Sequence, residues 1–557
     1  MVRASRLYPF LFLCVLLAGS AAASDRPPNF LLLVAEDLGP RIGAFGDAVA
    51  DTPNLDRLAA EGVRYTRVFA TSGVCAPSRA ALITGVSQIS IGAQHMRTSS
   101  RPEGAYRAVP PPEVKAFPEL LRAAGYYTFT DYKLDYQFSG AMQESGPFTI
   151  WDSEAFGPTW TERPPGSPFF GLINFFETHE SGVLRPLGNW PHSATHFFMQ
   201  FARLFMVGFP DDAAVPAASI RLPPYFPDTP AIREDLARHY ANIHVMDAEV
   251  GDVLERLAAD GLADSTVVVW TADHGDGLPR AKRELYDSGL HVPMIIRWPE
   301  RYRPRGAKPG SVDDRLVSLV DLAPTFLELA GVALPAGLQG RSLVDASGAP
   351  RQYVYAARDR IDEVPDRQRA VRDARFKYIR SAYPELPGGH PLSFRDDLES
   401  ARELRALHAS GDLDPVQSLW FEPVGKERLY DTWEDPHEVH DLSGDPGHAA
   451  ELARMRRALD AWLERVDAFG EMPETEMVEA FWPDGAAPVT ATPRVEVDDG
   501  VVRVTCATPG ASIGVRRGDG AWKLYTGSFS APSGTDLTVK AVRYGWDESV
   551  EVGVSVP

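Results

Sequence analysis

Two short stretches of the chain are apolar at almost every position instead of every second one. Phe30-Leu31-Leu32-Leu33-Val34-Ala35 and Thr266-Val267-Val268-Val269-Trp270-Thr271-Ala272 have no polar face, which marks strands buried on both sides. Between them the periodicity changes to helical. Thr52-Pro53 predicts a helix start and Gly62 its stop, because proline suits the first helical position and glycine the end. Thr229-Pro230 opens a longer helix, with Leu236, Tyr240, Ile243, Val250, Leu254 and Leu257 on one face up to Gly261. Strand–helix–strand order from Pro28 to about Val344 predicts an α/β fold, a mostly parallel sheet with helices on both faces.

Beyond residue 350 the texture shifts. Gln352 to Ala356 and Phe376 to Arg380 read as shorter, more polar strands of a small antiparallel sheet, followed by a helix from Ala449 to Phe469. Residues 472–492 are rich in Pro, Ala and acid and read as a linker. Val495, Val497, Val502 and Val504 alternate with polar residues either side of Asp499-Gly500, the pattern of a hairpin. The chain thus divides into an α/β domain over 24–350, an α+β subdomain over 351–471, the linker, and a small all-β sandwich over 493–557.

The N-terminus changes the charge and cysteine counts. Arg3 and Arg6 precede the apolar run Tyr8 to Ala18, and Ala21-Ala22-Ala23 offers a small-residue cleavage site. Residues 1–23 therefore read as a secretory signal peptide, and the expected location is periplasmic or extracellular. Cleavage removes two arginines and no acid, taking the net charge from −20 to about −22. Such an acidic chain is not expected to bind nucleic acid. No later apolar run is long enough for a membrane anchor. Cys14 leaves with the leader, so only Cys75 and Cys506 remain, and a disulfide-built scaffold is excluded.

The chemistry gathers where the buried strands end. The first runs into Glu36-Asp37 and the second into Asp273-His274. Sites in open parallel sheets lie beyond the carboxyl ends of the strands. These four groups read equally as loop caps or as metal ligands; an oxygen-rich set favours Ca2+ or Mg2+. Thr71-Ser-Gly-Val-Cys75-Ala-Pro77-Ser78-Arg79 places Cys75 just before a short helix that Gly85 stops. The helix N-terminus and Arg79 favour an anion there, so Cys75 is a nucleophile candidate.

Cys75-Ala76-Pro77-Ser78-Arg79 followed by Leu82-Ile83-Thr84-Gly85 resembles the signature of the formylglycine-dependent (type I) sulfatases. Thr52-Pro53-Asn54-Leu55-Asp56-Arg57-Leu58, the stretch Tyr286 to Arg297 and Leu429-Tyr430-Asp431 agree in order. The resemblance spans about residues 27 to 470, and the Glu-Asp pair, Thr178-His179-Glu180-Ser181 and Asp273-His274-Gly275 look most like the heparan N-sulfatase and bacterial polysaccharide sulfatase branch. It implies an alkaline-phosphatase-like fold and an exported enzyme that removes sulfate from a sulfated carbohydrate. It also implies that Cys75 is oxidised to formylglycine (3-oxoalanine) by a formylglycine-generating or anaerobic maturation enzyme. The hydrated aldehyde attacks sulfur, and its second hydroxyl then expels the sulfate.

The same resemblance assigns Glu36, Asp37, residue 75, Asp273 and His274 as metal ligands. Arg79 orients the aldehyde hydrate, Lys133 and Lys282 bind sulfate, and His179 protonates the leaving alcohol. Only 8 of the 56 basic residues are lysine, which makes two at these positions less casual. Two departures stand out: Glu36 occurs where many members have Asp, and Lys133-Leu134-Asp135 carries an acid where a histidine is common. Asp135 is expected to meet a sugar hydroxyl or a neighbouring cation. His95, in Gly92-Ala-Gln-His95-Met-Arg97, fills the missing histidine's place, binds substrate, or is an ordinary packed histidine, and Arg97 is a further candidate substrate contact. The competing functions are a phosphonate or phosphate monoester hydrolase of the same superfamily and a non-catalytic binder of sulfated glycans.

Overall fold

The computed structural model of the chain describes residues 26–557 apart from 97, 99, 100, 102, 141, 187, 207–214, 345–348 and 467. The expected leader over 1–23 and the candidate substrate contact Arg97 lie outside the described residues. The two apolar runs become β1 (Asn29–Ala35) and β5 (Thr266–Ala272), parallel neighbours with every residue buried. With β2 (Val63–Phe69), β3 (Tyr127–Thr130), β4 (Phe169–Phe175), β6 (His291–Arg297), β7 (Ser311–Asp313) and β8 (Val317–Ser318) they form one eight-stranded sheet. Its order is β3-β4-β1-β5-β6-β2-β7, with β8 also paired to β2. β1 and β5 lie in its middle, which is why neither shows a polar face.

The sheet is mixed. β6 runs antiparallel to both β5 and β2. The connection from β5 carries only the four-residue helix Asp287–Leu290, too little for the crossover that a parallel return needs. The helices Pro53–Glu61 and Pro230–Ala259 start at their prolines. Thr229 caps the second by accepting from the Ile232 N–H, whereas the Thr52 hydroxyl instead accepts from the Gly43 N–H.

A second, antiparallel sheet joins Val354–Arg358, Gln368–Arg372, Phe376–Ser381 and Glu427–Asp431. Its first strand lies two residues later than the sequence pattern suggests. The helix Ala449–Val466 covers it, burying Met455, Leu459 and Trp462 against Val371, Tyr378 and Leu429. The stretch 472–492, which reads as a linker, carries the helix Glu474–Phe481. Its Met477 and Phe481 sit in one core with Ala80, Ile91 and Ala93.

The last residues form a three-stranded and a four-stranded antiparallel sheet around Val502, Val504, Leu537 and Val539. This sandwich is docked on the α/β domain. Buried Glu119 accepts from the hydroxyls of Ser512 (2.6 Å) and Tyr544 (2.9 Å), and Arg122 donates to the Trp522 carbonyl at 2.7 Å. Phe138 stacks on Tyr544 with ring centroids 4.9 Å apart. Among the described residues, no helix is long and apolar enough to cross a membrane.

Candidate active site

Ala35 and Ala272 are paired across β1 and β5, so the residues that follow each strand emerge at one place. Glu36 and Asp37 come from β1; Asp273 and His274 come from β5. All four are fully buried. Asp37 has a left-handed backbone (φ 53°), a conformation Asp tolerates better than most residues. Its Oδ1 lies 3.0 Å from His274 Nε2, and its Oδ2 accepts from the Glu180 N–H at 2.7 Å.

Cys75 approaches this point as the first residue of the helix Cys75–Thr84, all ten of whose residues are buried. It lies one step inside the position the sequence suggests. Gly73 makes the approach possible: a Cβ there would lie 2.4 Å from the Glu284 carbonyl oxygen. Cys75 Sγ lies 3.3 Å from His274 Nε2 and 3.6 Å from Asp37 Oδ1. Asp37, Cys75, Asp273 and His274 each present a ligand atom within 4.8 Å of the others, and Glu36, Cys75 and His179 form a second such group.

These residues fit a divalent cation. Glu36 Oε1 is buried without a hydrogen bond among the described residues and has Arg79 Nη2 only at 4.0 Å, a costly state for a carboxylate oxygen unless a cation comes closer. His274 Nδ1 sits 3.0 Å from the Gly275 carbonyl, a contact that orients the ring and turns Nε2 to the cluster. Burial pushes the Glu36 carboxyl up, and Lys133 and Arg79 offset this only in part. Burial acts the same way on Asp37, but the Lys282 charge above all, with His274, holds it well below the ordinary range. Burial would lower His274, yet Asp273, Cys75 and Asp37 raise it to about 10.

Three cations enclose the cluster. Arg79 Nε donates to Asp273 at 2.9 Å, Lys133 Nζ lies 3.0 Å from Glu36, and Lys282 Nζ lies 2.5 Å from Asp37. His179, beyond β4, stacks on Phe176 and lies 3.4 Å from Lys282 Nζ. The Ser181 N–H donates to its Nδ1. Burial and the Lys282 charge push it well below the usual histidine range, so the ring is neutral.

The remaining candidates lie further out. Asp135 is 3.9 Å from Lys133 Nζ. His95 is placed against Glu474 (3.9 Å), and the structure does not bring it into the Cys75 cluster. Two residues that sequence reasoning passed over hold Arg79 in place. Asn174 Oδ1 accepts from Arg79 Nη1 at 2.5 Å, and Asp131 accepts from the Asn174 side chain at 2.6 Å. The signal was an Asn near the end of an otherwise apolar strand. Glu180, whose N–H fixes Asp37, carries a buried carboxylate 2.7 Å from Arg283.

Comparison with known proteins identifies the family. The sulfatase family model matches residues 28–332, and the model for the C-terminal part of N-sulphoglucosamine sulphohydrolase matches residues 280–385. An ulvan-active sulfatase of Formosa agariphila is 38% identical over 554 residues, covering 95% of this chain and 91% of the relative. Human N-sulphoglucosamine sulphohydrolase is 27% identical over 485 residues, covering 81% and 92%. Among solved structures, a 2-O GAG sulfatase superposes with TM-score 0.55 at 21% identity, covering 80% of this chain and 93% of that one. A phosphonate monoester hydrolase from Silicibacter pomeroyi gives 0.51 at 19%, covering 86% and 100%; these two likenesses speak to the fold. The chain belongs to the sulfatase family, in the branch that resembles the heparan N-sulfatases, and is a sulfuric ester hydrolase.

Proposed function

We propose that this sulfatase acts outside the cytoplasm on a sulfated carbohydrate, using a formylglycine made from Cys75 and a divalent cation, Ca2+ by preference. The observation that carries the reading is the buried meeting of Asp37, Cys75, Asp273 and His274, with Arg79, Lys133 and Lys282 around it. The carbohydrate class is supported by the relatives, one named for ulvan and one for sulphoglucosamine.

Glu36, Asp37, Asp273, His274 and residue 75 would hold the cation, and hard oxygen donors dominate the set. The cation and the aldehyde hydrate supply charge stabilisation and the nucleophile for sulfuryl transfer. Arg79, fixed by Asp273 and Asn174, orients the group at position 75. Lys133 and Lys282 neutralise the sulfate oxygens in a site shielded from water, where each contact is stronger than at the surface. His179 Nδ1 meets the Ser181 hydroxyl at 2.9 Å and its Nε2 faces Lys282 Nζ at 3.4 Å, so Nε2 is the atom placed to relay a proton from the Lys282 ammonium. That proton goes to the departing alcohol oxygen. Asp135, His95 and Arg97 are read as outer substrate contacts, and the sandwich over 493–557 as an accessory domain.

The test has two arms. Peptide mass spectrometry should find residue 75 about 18 Da lighter than cysteine. Sulfate release from ulvan and heparin oligosaccharides should exceed hydrolysis of a phosphate monoester of the same alcohol as a matched sulfate ester. A clear phosphate preference overturns the reading.

A further inference from the structure

A cavity of about 710 Å³ lies away from the site, between the α/β domain and the second sheet. It is the size of a pocket for a small organic ligand. Ser87, just past the end of the Cys75–Thr84 helix, lines it, which puts that part of the wall roughly 15 Å from the nucleophile at the helical rise.

The lining is unlike the rest of the surface. The chain carries 76 acidic against 56 basic residues, yet among the described residues the only charged ones lining this cavity are Arg341, Arg351 and Arg465. Arg351 is paired with buried Asp321. Arg341 and Arg465 are exposed and make no ion pair among the described residues. One wall is aromatic: the half-buried Tyr355 ring lies flat on buried Trp462, with ring centroids 4.7 Å apart and planes within 3°, and presents its outer face. The Thr71 hydroxyl, on a residue 5% exposed, also lines the cavity and makes no hydrogen bond among the described residues. An uncommitted buried hydroxyl calls for a polar partner.

Guanidinium groups bind oxyanions through paired hydrogen bonds. A flat aromatic wall suits the C–H face of a sugar ring, and a lone hydroxyl suits a sugar hydroxyl. A free inorganic anion would use the arginines but not the wall. We propose that this cavity is a second saccharide-binding site that holds a sulfate-bearing stretch of the glycan away from the bond being cut. This rests on the reading of the substrate as a sulfated carbohydrate.

The experiment uses the full-length Cys75→Ala protein, which binds without turnover, and follows calorimetry with tryptophan fluorescence. The ligands are ulvan and heparin oligosaccharides, their chemically desulfated forms, and sodium sulfate. The expected result is two classes of site for at least one sulfated oligosaccharide. The class reported by fluorescence should weaken at least tenfold in Arg341→Glu/Arg465→Glu and largely persist in Arg341→Lys/Arg465→Lys. Thermal midpoints of both variants serve as the folding control. A single class of site, or unchanged affinity in the glutamate variant, overturns the proposal. So does desulfated sugar binding equally well, or sodium sulfate binding as tightly as the oligosaccharide. The substrate reading fails separately, if wild-type protein releases no sulfate from either oligosaccharide.

Discussion

His95 offers a perturbation whose size follows from its surroundings. It is 7% exposed, and neither ring nitrogen makes a hydrogen bond among the described residues. Glu474 lies 3.9 Å away and favours the charged ring, but burial dominates, and Arg360, Arg369 and Arg101 add to it. The pKa falls from 6.5 to about 4. Because the folded value lies below the unfolded one, the unfolded chain takes up the proton first as pH falls. Stability is therefore complete above pH 6.5 and drains away between 6.5 and about 4. The full shift corresponds to about 3 kcal/mol, of which about 2 kcal/mol is lost between pH 7 and pH 5. Glu474 is itself held low, chiefly by Arg360 against its own burial, so it stays ionised through this window. Urea unfolding of wild type and His95→Gln at pH 7 and pH 5 checks this. The variant should be the less stable at pH 7, and the gap should narrow by about 2 kcal/mol at pH 5. An equal gap at both pH values would refute a buried, neutral His95.

Cys75→Ala should abolish sulfate release while leaving the thermal midpoint within a few degrees, since only the functional group beyond Cβ is lost; residual turnover above background contradicts the proposed nucleophile. His179→Gln should slow release from a sugar sulfate by about 10²-fold or more and from a nitrophenyl sulfate far less, because only the poor leaving group needs the proton; equal losses would argue against proton donation. Chelation should stop turnover and lower the thermal midpoint, with Ca2+ restoring both; at a hundredfold excess over Kd the stabilisation is about 2.7 kcal/mol. Glu119→Ala removes the acceptor for Ser512, Tyr544 and Thr149, a cost of about 3 kcal/mol from stranded buried hydroxyls, and limited proteolysis should then release the terminal sandwich.

Periodicity made the centre of the fold legible. β1 and β5 are buried on both faces, and that leaves a direct trace in residue order. The reversed direction of β6 left none, because strand direction depends on the connection and not on the strand's own residues. Composition misled at 472–492: Pro, Ala and acid look like a linker, but Met477 and Phe481 enter a core supplied by residues near position 90. Such a long-range pocket has no local signature. At the site, Asp273 and His274 stood out because they end an apolar run. Asn174 and Asp131 did not, since their work is to hold another side chain, Arg79, and not to face the reacting group.

The contact between Phe138 and Tyr544 reaches further than domain docking. Phe138 lies five residues beyond Lys133, on the loop that leaves β3. Arg122, just ahead of that strand, is tied to Trp522 as well. The tail thus splints both flanks of the segment that aims one of the two lysines. A sequence module that looks detachable becomes a brace for the proposed catalytic pocket. Truncating it is a lesion in alignment, whose cost shows first in the turnover rate.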